Sequence, residues 1–393
     1  MILRIDNIPR PYSWGSRRAI ADLLDRIPSG GPEAELWLGA HAGSPARIID
    51  GASEENLAEW AAAHRPDGRL TFLMKVLAAS EPLSLQVHPT LQQAREGYER
   101  ENAAGIPLDS PRRNYKDTWH KPELLYALSD PFRALSGFRP VAEARVELEA
   151  TADPRLESFI ARLTGDDALP SIVEWLLQGD PEVRAVVIAL SDLAADAPLR
   201  SLAFDTVRRL ATHHPGDPGI AMSILMNTVV LNAGEAIYLP AGNIHAYLEG
   251  LGIEVMASSD NVLRGGLTSK HVDVVEMLRV LDCRPLPAPY LEPEHPQPGV
   301  RVFRPHVDDF RLAVMEPQHA RDPLGLPTRG VAIALVLNGT IDVTSGNDNA
   351  RVERGGAVLV SSNDLQLSGH GRVVVAWSEQ GSEASRANRD PQV

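Results

Sequence analysis

Two periodicities alternate along the chain. Up to residue 140 the apolar positions fall in short runs, such as Leu70-Thr71-Phe72-Leu73-Met74-Lys75-Val76-Leu77, bounded by Gly, Pro and Ser clusters. That texture predicts strands and turns, with brief helical patches at Arg18 to Leu24 and Glu54 to Ala63. From residue 141 to 215 the period lengthens. Leu156, Phe159, Ile160 and Leu163 are spaced as one face of a helix, and Phe204, Val207 and Ala211 repeat the spacing, until Pro215-Gly216-Asp217-Pro218-Gly219 stops it. Strand texture returns over 220–262. Thr268 is then placed to cap a helix carrying Val274, Leu278 and Leu281, and a proline-rich linker runs from Pro285 to Pro298. In the last hundred residues Val331, Ile333, Leu335 and Leu337 alternate, Asn338-Gly339 predicts a hairpin, and Ile341 and Val343 resume the alternation. The expected architecture is mainly β with a helical insertion, and barrels or jelly rolls are its natural forms.

Composition narrows the setting. The chain has 393 residues with ordinary globular composition, 44% hydrophobic and 23% charged. A net charge of −14 argues against nucleic acid and anionic membrane as partners. No 18-residue apolar run is present, and the opening Met1-Ile2-Leu3-Arg4-Ile5-Asp6 meets charge before any signal-like stretch. The single Cys283 excludes an intrachain disulfide and fits a reducing compartment, so a cytoplasmic protein is expected; separately, a monomer is the expected state. Of 38 basic residues only four are lysines, namely Lys75, Lys116, Lys121 and Lys270. In an arginine-biased chain, lysine is expected to persist where a compact, titratable point charge matters.

The four lysines fall in two regions that also hold the candidate chemistry. In Ser84-Leu85-Gln86-Val87-His88, strand alternation puts Ser84, Gln86 and His88 on one face. In Lys121-Pro122-Glu123, the proline favours extended backbone, so Lys121 and Glu123 share a face. In Pro240-Ala241-Gly242-Asn243-Ile244-His245-Ala246-Tyr247, a tight turn delivers His245 and Tyr247 to one side of the next strand. Each motif alone has a structural explanation. Together they offer two imidazoles, a carboxylate and a carboxamide oxygen, a donor set suited to Zn²⁺ or Fe²⁺. Downstream, Arg264 lies between an apolar pair and a Gly-Gly turn, and Ser269-Lys270 at a helix start would cradle a phosphate.

Taken jointly, these runs resemble the class I mannose-6-phosphate isomerases, zinc-dependent phosphomannose isomerases of the cupin fold. The matching stretches are Pro11 to Gly15, Ala34 to His41, Leu83 to Pro89, His120 to Tyr126, Gly234 to Tyr247 and Asp260 to His271. The resemblance implies a discontinuous catalytic cupin (jelly-roll) domain over 1–140 and 220–290. A helical insertion over 141–219 and a degenerate cupin-like β domain over 291–393 complete the expected chain. It also implies one zinc ion on Gln86, His88, Glu123 and His245, with Arg264 as the active-site arginine. Substrate-pocket positions fall on Trp14, Lys75, Ser84, Lys121, Tyr247, Glu254, Asp260 and Lys270. The implied reaction converts mannose 6-phosphate to fructose 6-phosphate through a cis-enediol. Lys121, Glu254 or Asp260 is expected to act as base, and Lys270 with Ser84 to hold the phosphate. The alternative enzyme is an iron-dependent cupin oxygenase on His88, Glu123 and His245, which Gln86 as a fourth ligand disfavours. A non-enzymatic sugar-phosphate-binding cupin is the other alternative.

Overall fold

Short alternating strands build two antiparallel sheets in the computed structural model, which describes residues 1–378 apart from 52, 197–200 and 320. The first sheet has nine strands among the described residues: β1 (Glu35–Leu38), β2 (Phe72–Ala79), β3 (Leu85–Val87), β4 (Glu123–Ala127), β5 (Phe132–Phe138), β6 (Met226–Leu231), β7 (Ala236–Leu239), β8 (His245–Ala257) and β9 (Leu263–Gly266). β8 is the hub. Its first residues pair with β3 and β5, and after a register shift between Tyr247 and Glu249 its remainder pairs with β2 and β4. Gly250 makes the change of direction feasible. Its φ is 134°, and a Cβ there would lie 2.5 Å from the Phe132 ring.

β2 shows how the sheet points one face at a site. All eight of its residues are buried. Phe72, Met74, Val76 and Ala78 join the core shared with Leu36, Ile253, Phe303 and Leu335, so the first sheet packs on the C-terminal strands. Leu73, Lys75, Leu77 and Ala79 take the opposite face, and there Lys75 is the one charged side chain of the strand.

Helices from Val141 to Ser223 enclose Phe159, Trp175, Phe204 and Leu210, and their core is continuous with Val87, Leu135, Ile244 and Leu263 of the sheet. No helix is long and apolar enough to cross a membrane among the described residues. One long helix was not expected near the N-terminus: Leu91–Ala103, opened by a capping box of Thr90 and Gln93. Its T-x-x-Q signal stands in the sequence, but the polar face that follows lacks a strong apolar period.

The second sheet joins Ile2–Asp6 and Arg47–Ile48 to the C-terminal strands through Ala357–Trp377, so the start of the chain is tied to its far end. The expected hairpin at Asn338-Gly339 is not there. Leu324–Ser345 runs through it as one strand, and the turn comes at Gly346-Asn347 before Asp348–Glu353. Gly339 serves a close approach instead, since a Cβ on it would lie 2.0 Å from the His370 carbonyl oxygen. Thr268 likewise caps no helix. The helix there is Val274–Val280, and Asp273 caps it by accepting from the Glu276 N–H at 3.0 Å.

Candidate metal centre and active site

Three strands deliver three ligating side chains to one point. His88 follows β3, Glu123 opens β4 behind Pro122, and His245 opens β8 behind the Gly242 turn. The His88 carbonyl accepts from Gly242 N–H at 2.9 Å, which fixes that turn against β3. Among the described residues these are the one group of three His, Cys, Asp or Glu side chains close enough to share an ion. Nε2 of His88 lies 3.2 Å from Glu123 Oε1, and Nε2 of His245 lies 3.3 Å from Oε2. All three residues are at most 3% exposed.

Hydrogen bonding tells what the cluster needs. Each imidazole directs Nδ1 at a main-chain carbonyl, His88 at Asn261 (2.7 Å) and His245 at Asn243 (3.0 Å). Those contacts place the ring protons on Nδ1 and leave the Nε2 lone pairs facing a carboxylate. Nε2 of His88 is buried without a hydrogen-bond partner. Burial, with the Lys121 ammonium second, pushes His88 down to about 4, so its ring is neutral at neutral pH. Burial alone would raise the Glu123 carboxyl, but the Lys121 ammonium at 3.0 Å holds it well below the usual carboxylate range. Neutral nitrogen lone pairs beside an ionised carboxylate, with no proton to share, form a donor set that fits a divalent cation.

Gln86 is next to this set. It lies opposite His245 on β8 and opposite Arg264 on β9, so the three side chains occupy one face. Its carboxamide nitrogen donates to Ser84 Oγ at 3.3 Å, which explains why a serine sits two residues before it. Tyr247 is buried beside the centre, its hydroxyl 3.5 Å from Glu123 Oε2.

In front of the cluster, a cavity of about 350 Å³ is lined by five cationic side chains, Lys75, Arg113, Lys116, Lys121 and Arg264, against two carboxylates, Glu35 and Asp260. Most of these cations are already paired, Lys75 with Glu254 and Glu35, Lys121 with Glu123 and Arg113 with Glu101, so Arg264 is the one that stands out as a group for an incoming anion. A broader groove of about 860 Å³ on the C-terminal sheet, lined by His319, Asp342 and His370 among others, gathers no comparable set. Arg264 has no carboxylate partner among the described residues, and partial burial lowers its pKa. Its strand ends in a left-handed Leu267 (φ 54°), held where Asp217 accepts from the Leu267 and Gly219 N–H groups at 2.8 and 2.7 Å. At the rim, His41 Nδ1 accepts from Gly43 N–H, so Nε2–H is free to donate to Asp260 Oδ1 at 3.3 Å. That contact outweighs burial and keeps the Asp260 carboxyl below its ordinary range.

Lys75 is a deeply placed cation. Burial opposes its charge, but Glu254 at 2.8 Å and Glu35 at 3.7 Å hold it above the ordinary lysine range. For Glu254, burial outweighs the ammonium and raises the carboxyl. Lys75→Met would strand both carboxylates, and the expected loss is roughly 3–5 kcal/mol in a denaturant titration at neutral pH. The folded state of that variant favours protonated Glu254 more than the unfolded chain does. The penalty therefore shrinks as pH falls through the raised value toward the ordinary carboxyl range.

The positions named from sequence separate into groups. Lys75, Lys121, Asp260 and Arg264 line the cavity; Glu254 sits behind Lys75; Gln86, His88, Glu123, His245, Ser84 and Tyr247 form the centre and its support. Trp14 is not on the cavity wall and stacks with Tyr12 at 5.8 Å. Lys270 is exposed and opens no helix; burial first and the Arg264 charge second lower its pKa. Lys116 staples a loop, its ammonium donating to the carbonyls of Leu108 and Ser110. Sequence reasoning missed Tyr12, Glu35, Trp37, His41, Arg113 and Asn114. Glu35-x-Trp37 carried a usable signal, because alternation aims both at one face and Trp37 registers opposite Lys75.

Comparison with known proteins agrees with this centre. Residues 2–141 match the family model for the catalytic domain of type I phosphomannose isomerase. Mannose-6-phosphate isomerase of Escherichia coli K12 is 34% identical, covering 96% of this chain and 99% of that protein, and the Rattus norvegicus enzyme is 30% identical, covering 92% and 93%. Phosphomannose isomerase of Salmonella typhimurium, solved with fructose 6-phosphate and zinc, superposes with a TM-score of 0.87 at 31% identity, covering 96% of this chain and all of that one. Likeness of that extent along both chains means that this protein belongs to the type I phosphomannose isomerase family.

Proposed function

We propose that the chain is a mannose-6-phosphate isomerase, interconverting D-mannose 6-phosphate and D-fructose 6-phosphate with one zinc ion held by Gln86, His88, Glu123 and His245. The observation that carries this reading is the buried His88–Glu123–His245 cluster, its lone pairs unshared, behind a cation-lined cavity. The relatives favour neither an iron oxygenase nor a non-enzymatic sugar-phosphate binder.

When bound, zinc supplies Lewis-acid polarisation of the sugar's oxygens. The side chains do the rest. A proton leaves C2 and is returned at C1, or the reverse, and Lys121, Glu254 and Asp260 are the groups assigned to carry it. Lys121 and Asp260 face the cavity directly, and Glu254 reaches it from behind Lys75. Arg264, with no carboxylate partner among the described residues, donates to the oxygen on which enediolate charge develops. Lys270 and Ser84 are assigned to the phosphate and Tyr247 to the substrate site, while Trp14, off the cavity wall, is assigned to support the lining Tyr12 on which it stacks. We read the strands of 1–140 and 220–290 as a cupin barrel, apart from Ile2–Asp6 and Arg47–Ile48, which pair into the C-terminal sheet, with 141–219 as its helical insertion and 291–393 as a second, cupin-like unit. The interior of that C-terminal unit is filled with Val302, Met315, Ile341, Leu367 and Trp377, which supports a unit without a metal site. The lone Cys283 supports a cytoplasmic setting.

A coupled assay that follows fructose 6-phosphate tests the reading. Turnover is expected to vanish after exhaustive chelation and to return on adding Zn²⁺. Full activity in the chelated protein overturns it.

A further inference from the structure

The geometry points to Asn261 as a positioning residue that locks a metal ligand to the wall of the substrate cavity, an assignment that rests on the zinc reading above. Asn261 is fully buried between Asp260 and the strand that carries Arg264. Its carboxamide uses its whole hydrogen-bonding capacity on one short stretch of chain. Oδ1 accepts from the N–H groups of Lys116 (2.7 Å) and Asp117 (3.2 Å). Nδ2 donates to the carbonyls of Asp117 (2.9 Å) and Trp119 (2.8 Å). Asp117 reciprocates, accepting from the Ser259 hydroxyl and the Asp260 N–H, both at 2.9 Å. Segments 116–119 and 259–261 are therefore clamped to each other.

The main-chain carbonyl of the clamped residue is the one that takes Nδ1–H of His88, at 2.7 Å. The position of that carbonyl sets the angle of the imidazole and keeps its proton on Nδ1, so that Nε2 points at Glu123. The other half of the clamp runs on to Lys121 and Glu123, and its Lys116 lines the cavity. Two ligands on different strands and the wall between them thus depend on one carboxamide. Only Asn meets the requirement here. An aspartate has no N–H for the two carbonyls, and a glutamine, one methylene longer, would carry its carboxamide out of register with the four groups it must meet.

Two variants and one measurement on the unmodified protein test this. In full-length protein, zinc affinity is read by competition with a chelator, and the visible absorption of the cobalt-substituted form reports ligand geometry. Asn261→Ala is expected to bind zinc about 100-fold more weakly and Asn261→Asp, which keeps both acceptor contacts, about 10-fold, with an altered cobalt spectrum in each. A purely structural role would lower the thermal midpoint while leaving the zinc affinity and cobalt spectrum of the folded protein unchanged, and that result overturns the assignment. Should neither variant fold, ¹⁵N NMR of the histidine rings in the unmodified, zinc-loaded protein decides. A proton on Nδ1 of His88 is expected, and a proton on Nε2 overturns the proposal. An unmodified protein that takes up no zinc overturns the zinc reading and this assignment with it, whereas normal uptake with unaffected variants overturns this assignment alone.

Discussion

Glu123→Ala protein is expected to lose at least about 10³-fold in kcat/KM, equivalent to roughly 4 kcal/mol of transition-state stabilisation, and to retain no tightly bound zinc. Two effects act together. The substitution removes the one anionic donor of the cluster, leaving the imidazoles of His88 and His245 to hold a doubly charged ion. It also deprives Lys121 of the carboxylate 3.0 Å away, in a site where that ammonium is 12% exposed. An unpaired, nearly buried cation is costly, so a fall in thermal midpoint is expected even for metal-free protein. Glu123→Gln separates the two. It keeps the shape and one oxygen, but the lost charge still weakens zinc binding while packing is preserved. Atomic absorption on the purified variants measures the metal, and the coupled assay measures turnover. Glu123→Ala protein with a full complement of zinc and normal kcat would mean that the centre lies elsewhere.

The centre was legible in the chain because its residues sit on local patterns with strict geometric consequences. Alternation aims Ser84, Gln86 and His88 at one face, Pro122 extends the chain between Lys121 and Glu123, and the Gly242 turn aims His245. What each patch meets across the sheet is a long-range matter. Lys75 stood out as one of four lysines, but its buried bonds to Glu254 and Glu35 arise from β1, β2 and β8 pairing side by side. Asn261 looked like any loop asparagine, since its value lies in contacts to a segment more than 140 residues earlier. Local signals also misled where a tertiary demand prevailed. Asn338-Gly339 has ideal turn chemistry, yet the glycine is needed for the approach of a neighbouring strand, and the hairpin forms at Gly346-Asn347. Lys270 at an apparent helix start failed for a related reason: Asp273, three residues on, is the better cap.

Arg264→Ala is expected to lower kcat by about 10²–10³-fold with a much smaller change in KM, the size of effect found when one donor to a developing oxyanion is removed. The case rests on what surrounds the guanidinium. Most arginines of this protein are paired with carboxylates, as Arg139 is with Glu147 and Arg162 with Glu182. Arg264 faces the cavity without such a partner among the described residues, although partial burial disfavours its charge. Its backbone is held by an uncommon device, the left-handed Leu267 secured by Asp217, so the cost of keeping a lone cation in place is met by the fold. That expenditure is intelligible if the missing anion appears during the reaction. A residue that only bound the substrate phosphate would be needed equally in ground and transition states, and its loss would raise KM instead. Arg264→Lys sharpens the test, because a lysine restores the charge without the planar fork. Partial recovery of kcat is expected from it, with zinc content unchanged in both variants. If Arg264→Ala keeps kcat within about threefold of the parent, worth only about 0.6 kcal/mol, the guanidinium is not where the enediolate charge is met.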